Sequence, residues 1–376
     1  MLRDGPTAEP AVAKTFHQLE FRGTGGEYFR IWIVNLALTI ITLGIYGAWA
    51  KVRTFRYFRG NTYLAGHPFD YHASPVRILI GRAIAVTALV CYSLTARLSP
   101  YVLAGWMVFF LIVTPWLVVS SLRFNARNTS YRNVRFNFTG SLAGATVAFI
   151  LWPILAGITL FLTWPLAHRV RDYFIVNNHT FGGKRFTTEF SAGEIYGIYL
   201  TAIGIFIGSM VALFAVAFGI LLAAGLAIGQ GTSLAHINPA DLRHSPIAAG
   251  AGVVVILAAF AFYVTVLFIS IAVQTYVHAK TMNLSIDNAV LEGGHELRSD
   301  LEVMPMAWII FTNGLFVLLT IGLYYPWAVV RLSRYEISRF ALQAASNLDE
   351  FTSEAMATQN AIGEEIASFF DLGISL

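Results

Sequence analysis

Thr42-Leu43-Gly44-Ile45-Tyr46-Gly47-Ala48-Trp49-Ala50-Lys51-Val52-Arg53 ends the first apolar run of this chain and opens its first basic face. A helix needs about 20 mostly apolar residues to cross a bilayer, and Ile31 to Ala50 holds no Asp, Glu, Lys or Arg. Thr42-Leu43-Gly44 interrupts that run, so it reads either as one crossing or as two short helices that dip in and return. Beyond it, Trp49, Arg53 and Arg56 recur at i, i+4 and i+7 and share one helical face.

Six more uncharged runs follow: Ala83 to Ala96, Leu98 to Leu122, Phe136 to His168, Ile195 to Ala240, His244 to Ala279, and Val303 to Val330. With 25 basic and 21 acidic side chains among 376 residues and a mean hydropathy of +0.63, a water-facing globular surface could not be built. The balance equally excludes a disordered chain and a nucleic-acid binder. Cys91 is alone, so no internal disulfide forms. Residues 1–28 carry no apolar core of signal-peptide length and read as a polar segment with one candidate strand. Residues 29–340 form the membrane domain, with segments at about 31–50, 77–97, 98–122, 141–168, 195–229, 245–279 and 303–330. Residues 341–376 form an acidic tail in which Ile362, Ile366, Phe369 and Phe370 make the stripe of a short amphipathic helix.

Charge arbitrates between the two topologies. Seven simple crossings divide the basic residues almost evenly. If the first, fourth and seventh segments re-enter, 22 basic residues fall on one side, only Arg97 and Arg243 on the other, and Arg82 lies inside a span. The second division follows the positive-inside rule. It puts the C-terminus in the cytoplasm and sets the breaks at Thr42-Leu43-Gly44, Trp152-Pro153, and Asn313-Gly314 with Gly322. Seven plain crossings stay open as the alternative.

The chain also resembles itself. A shift of 278 pairs Asn35, Thr42, Gly44, Tyr46, Trp49, Arg53 and Arg56 with Asn313, Thr320, Gly322, Tyr324, Trp327, Arg331 and Arg334. A shift of 67 pairs Trp49, Arg56, Asn61, Thr62 and Phe69 with Trp116, Arg123, Asn128, Thr129 and Phe136. Each unit is a membrane helix followed by short alternating segments with turn residues, which read as small cytoplasmic β-hairpins able to pair into a collar. The expected fold is an all-α, multi-pass helical bundle with internal repeats and those hairpins attached.

Phe21-Arg22-Gly23-Thr24-Gly25-Gly26-Glu27-Tyr28-Phe29, the opening Thr42 to Arg53 stretch and Gly66-His67-Pro68-Phe69-Asp70-Tyr71-His72 resemble the YjgN-like family of bacterial inner-membrane proteins. The likeness extends to Glu364-Glu365 and Phe369-Phe370-Asp371. It implies a bacterial inner-membrane location. The family's function is unknown, so no catalytic role is carried over.

No motif carries enzyme chemistry. Gly-x-Ser-x-Gly and His-Glu-x-x-His are absent, and Gly23-Thr24-Gly25-Gly26 lacks the Lys of a phosphate loop. His67, Asp70 and His72, with His295 and Glu296 in another hairpin, could supply metal ligands only if two turns met, and Gly-His at a turn needs no metal. No cofactor, metal or enzyme activity is expected. Passage of a small solute or lipid leads, with Asn35, Thr42, Gly44, Tyr46, Asn313, Thr320, Gly322 and Tyr324 as binding candidates. Trp49, Arg53, Arg56, Trp116, Arg123, Trp327, Arg331 and Arg334 are candidate interfacial anchors beside anionic lipid. The bland readings are that the asparagines only bridge helices and that the arginines only fix depth. The alternative function is a scaffold whose hairpins and acidic tail recruit a cytoplasmic protein.

Overall fold

The computed structural model describes residues 14–231 and 246–371. In chain order the elements are β1 (Thr15–Phe21), α1 (Gly25–Ile41), α2 (Gly47–Gly60), β2 (Thr62–Leu64), β3 (His67–Tyr71), α3 (Pro75–Thr95), α4 (Pro100–Arg127), β4 (Thr129–Tyr131) and β5 (Val134–Phe138). There follow α5 (Leu142–Ile158), α6 (Trp164–Asn177), β6 (His179–Phe181), β7 (Lys184–Thr188), α7 (Ala192–Gly231), α8 (Pro246–Asp287), β8 (Ala289–Leu291) and β9 (His295–Ser299). Last come α9 (Val303–Leu319), α10 (Tyr325–Ile337), β10 (Phe340–Ala344) and α11 (Leu348–Asp371). Among the described elements the order is strand, helix, helix, strand, and each helix pair leaves one strand and returns to that strand's hydrogen-bonded neighbour.

The all-α expectation is overturned: the hairpins are not appendages but a closed barrel of ten antiparallel strands, and the fold is mixed α and β. Closure comes from β1 pairing on one side with β2, Leu19 opposite Leu64, and on the other with β10, His17 opposite Leu342. Strands of three to seven residues are too short to be stable as isolated hairpins, and an open row would leave unpaired edges. Joining them into a ring satisfies both constraints. The register places one residue of every strand in a single inward layer: Leu19 with Leu64, Phe69 with Tyr131, Phe136 with Phe181, Phe186 with Leu291, and Leu297 with Leu342. Arg135, Arg185, Glu20 and Arg298 take the alternate, outward positions and are exposed.

Among the described residues, four helices are long and apolar enough to cross a membrane: Pro75–Thr95, Pro100–Arg127, Ala192–Ile220 and Leu257–Asp287. The remaining pairs are shorter. At 1.5 Å per residue, the 17 residues of α1 reach about 26 Å, less than a typical hydrocarbon core of about 30 Å. Their turns are apolar and bare, with Leu43 94% and Ile321 95% exposed, as suits a tip that sits in lipid. The turn of the middle pair falls at Thr159–Thr163, not at Trp152-Pro153. Around Pro153 the helix continues because Val147–Leu151 widens into a π turn, with Trp152 N–H reaching back to the Val147 carbonyl. Asn313-Gly314 likewise lies within α9, and the break there is at Thr320–Tyr324.

The chain divides into two compact units. One contains the barrel, α3 with α4 and the short helix pairs apart from residues 303–312 of α9; the other contains residues 196–281 and 302–312. In the first, α11 sets Leu348, Phe351, Thr352, Ala355 and Met356 at helical spacing. That face packs on Leu64, Tyr131, Phe181, Leu291 and Leu342, one residue from each even-numbered strand, so it covers the barrel's inward layer. Outward ion pairs Arg132–Asp349 and Lys184–Glu354 flank this contact. The stripe Ile362, Ile366, Phe369 and Phe370 lies outside the described side chains.

Candidate functional site

The three short pairs turn by the same device. Thr42 donates its hydroxyl to the Leu38 carbonyl and accepts from the Tyr46 N–H at 2.9 Å. Thr320 does the same with Phe316 and with Tyr324 N–H at 2.9 Å. Gly44 at φ +91° and Gly322 at φ +89° supply the left-handed backbone, and Phe161 at φ 66° stands in the corresponding turn without being glycine. Gly44 and Gly322 therefore make the turn, as do Thr42 and Thr320.

Behind each glycine turn sits a guanidinium held by an asparagine. Arg53 donates to Asn35 Oδ1 at 3.3 Å and to Tyr46 Oη at 3.0 Å. Arg331 donates to Asn313 Oδ1 at 3.3 Å. Both asparagines are buried. Asn313 Nδ2 completes its bonding on the Ala328 carbonyl at 2.9 Å, whereas Asn35 Nδ2 has no partner among the described residues. Burying an amide without a partner costs about 1–3 kcal/mol, so Asn35 is the less satisfied of the two. Asn35, Tyr46 and Arg53 thus form one cluster and Asn313 with Arg331 its counterpart. The structure does not unite the two clusters into one pocket.

The remaining anchor candidates separate. Arg123 donates to the Phe138 carbonyl at 3.2 Å and to that of Gly140 at 3.4 Å, and Arg334 to the Gly23 carbonyl at 2.8 Å. Each ties the end of one helix pair to the strand-to-helix connection of the next. Arg56 is exposed on α2. Trp116 is 55% exposed on a spanning helix, Trp49 stacks on Tyr46 at 6.1 Å, and Trp327 stacks on Phe29 at 4.8 Å. Trp327 also fills the space beside Gly25, where an added Cβ would come within 2.2 Å of the indole. Gly25, Trp327, Arg331, Arg334, Tyr324 and Tyr335 line a cleft of about 420 Å³. Two guanidiniums beside two phenols and an indole suit an anion attached to something apolar.

Arg82, the charge left inside a span, lies over Gly47, its guanidinium within 2.5 Å of where a Cβ would stand. His72 bonds Ser130 at 2.8 Å, and His295 accepts from Ala345 N–H at 3.3 Å beneath Phe351. The two metal-candidate hairpins use those histidines in such contacts.

Two groups were missed from the sequence. Asp172 on α6 is mostly buried, 3.4 Å from His168 and 3.3 Å from Arg171. Burial pushes its carboxyl up to about 6 against the pull of Arg171. The His168-x-x-x-Asp172 spacing was the available signal. Arg59, three residues beyond Arg56, is the other, and it lines a cleft between α2 and α10. Near the barrel, Tyr57 Oη bonds Thr24 and Glu27, and burial with the Glu27 carboxylate lifts the phenol to about 12.

Three comparisons bear on this geometry. A family described as "Bacterial protein of unknown function (DUF898)" matches residues 16–369. The inner membrane protein YjgN of Salmonella typhimurium is 25% identical over 374 residues, covering 92% of this chain and 93% of that protein. YjgN of Escherichia coli K12 is 33% identical over 143 residues, 38% of this chain and 36% of its own. No solved structure matches the chain.

Proposed function

We propose, for a chain that belongs to the DUF898 family of bacterial proteins of unknown function, that it is an inner-membrane protein passing a small solute or lipid across the bilayer. The observation that carries this is the guanidinium bonded to a buried asparagine of a short helix pair, repeated at Asn35–Arg53 and Asn313–Arg331. Interrupted helices are how many carriers build a site. The matched residues of the two pairs support reading them as copies of one unit. The inward apolar layer and α11 favour a route along the helix pairs over an aqueous one along the barrel axis.

The basic-residue division orients the barrel and the C-terminus toward the cytoplasm. In proteoliposomes, a double Asn35→Leu and Asn313→Leu variant loses transbilayer movement of a fluorescent phosphatidylglycerol or entry of a small labelled anion, with helicity retained. Unchanged movement of every probe that the parent carries rejects the reading. The scaffold reading draws on the outward barrel face, where Asp70, Arg135, Arg185 and Arg298 are exposed. It requires that removing residues 348–371 abolish capture of a soluble partner while flux is untouched.

A further inference from the structure

A second cleft, of about 330 Å³, opens between α2 and α10 with Tyr28 of α1 behind it. Its wall is apolar and aromatic: Phe55 and Phe58 from α2, and Tyr325, Val329 and Ile337 from α10. Along α10 the lining runs from Tyr325, next to the bare Ile321 turn, to Ile337, next to β10. Twelve residues of helix make that path about 18 Å long. Thr54 and Ser333 also line it, and its one charged side chain lies at an end. Arg59 and Thr62 stand at the barrel end, where α2 meets β2.

Arg59, like Arg56, stands apart from the arginines that bond within the protein. Arg53, Arg123, Arg132, Arg331 and Arg334 each donate to a named acceptor. The Arg59 guanidinium makes no hydrogen bond or ion pair among the described residues. Its side chain is exposed at this end of the cleft, and the group acting on it electrostatically is the phenol of Tyr71. Tyr71 itself stacks on Phe55 at 5.3 Å, and its hydroxyl is buried with no partner among the described residues. A cation without a counter-charge among the described residues therefore stands at one end of an apolar slot. Its guanidinium keeps its donors for a ligand, and a carboxylate or phosphate delivered there gains charge-assisted hydrogen bonds.

We propose that this cleft holds a single-chain anionic amphiphile, with the headgroup on Arg59 and the acyl chain running along α10 toward Tyr325. The volume suits one chain, at the lower end of the roughly 300–1,000 Å³ of small-molecule sites. The charge complementarity selects a carboxylate or phosphate headgroup over a neutral one. This site stands apart from the passage reading: an amphiphile can occupy it whether or not anything crosses.

The test is binding to the full chain, purified in a neutral detergent, of oleate, oleyl alcohol and inorganic phosphate, followed by native mass spectrometry and by competition. Oleate should bind at least about tenfold more tightly than oleyl alcohol, and phosphate alone should neither bind nor compete. Arg59→Gln should remove the preference for oleate while leaving the alcohol unchanged, Arg59→Lys should keep part of it, and Arg56→Gln should keep all of it. Ser333→Phe, which fills the slot without touching the charge, should weaken both amphiphiles. Equal binding of oleate and oleyl alcohol, or full oleate preference in Arg59→Gln, overturns the proposal. Phosphate competing as well as oleate overturns the acyl-chain half of it. None of these readouts measures flux, so failure here leaves the passage reading standing.

Discussion

At the scale of single residues, the turns of the short pairs are decided by backbone sign. Nothing lies within 4 Å of a Cβ added at Gly44 or Gly322, so Ala there meets no neighbour and suffers only the left-handed backbone. Each Gly→Ala change should cost about 1 kcal/mol, read as a lower thermal midpoint in detergent, whereas Gly26→Ala, equally unobstructed in the first turn of α1, should cost nothing. Phe161 carries the same strain today, and Phe161→Gly should stabilise by about 0.5–1 kcal/mol. Asp172 gives a pH signature. Its folded pKa of about 6 lies above the ordinary 3.8, so the folded chain binds this proton more tightly than the unfolded chain does. The stability it contributes is full below about pH 4 and is lost as pH rises through about 6. Asp172→Asn should flatten that slope and be the more stable form at about pH 8 by on the order of 2 kcal/mol, in melts taken across the range.

At the scale of elements, α11 adheres by its apolar face and not by its charges. Phe351 is buried, with its ring 4.1 Å from that of His295 and 6.2 Å from that of Phe181. Phe351→Ala should cost about 3 kcal/mol and free the helix, seen as faster amide exchange across residues 348–359 with the strands still protected. The ion pair of Lys184 with the exposed Glu354 is a weak surface contact, so Glu354→Gln should change exchange by less than about 1 kcal/mol. His295 adds a sign: burial and the nearby Lys184 keep its imidazole below the usual range, so protonation is resisted in the folded chain. Its contribution is present above the ordinary histidine pKa of about 6.5 and declines as pH falls below it. Acid should therefore loosen α11 before it opens the spanning helices.

At the scale of the whole molecule, closure is the property that a local change can destroy. β1 is hydrogen-bonded to both β10 and β2, so deleting residues 1–21 leaves two strand edges bare where there were none. Size-exclusion chromatography should find that deletion aggregated and deletion of residues 1–13, which touches no described strand, unchanged. Topology has its own check. Every helix pair returns to the strand beside the one it left, so an impermeant thiol reagent on intact cells should miss cysteines placed beside Arg56, Arg123 and Arg334, and label one placed at Leu98.

Uncharged runs, proline and glycine positions and the Arg–Lys division are local quantities, and from them the sequence alone established a membrane chain of seven apolar segments, with four crossings and seven both open. It also singled out Asn35 and Asn313 as binding candidates and Arg53 and Arg331 as interfacial anchors, because each recurs at a constant shift, but that each asparagine bonds its arginine is decided by the fold. The barrel was out of reach. Leu19 meets Leu64, and His17 meets Leu342 across 325 positions, yet neither strand differs locally from a hairpin arm that ends in solvent. The pairing of such short strands is fixed by the ring as a whole, since each edge is stable only when all the others are filled. Arg59 shows the same limit in one side chain: its sequence neighbours make it another interfacial arginine, and only α10 folding back beside α2 leaves it facing an apolar slot with no counter-charge.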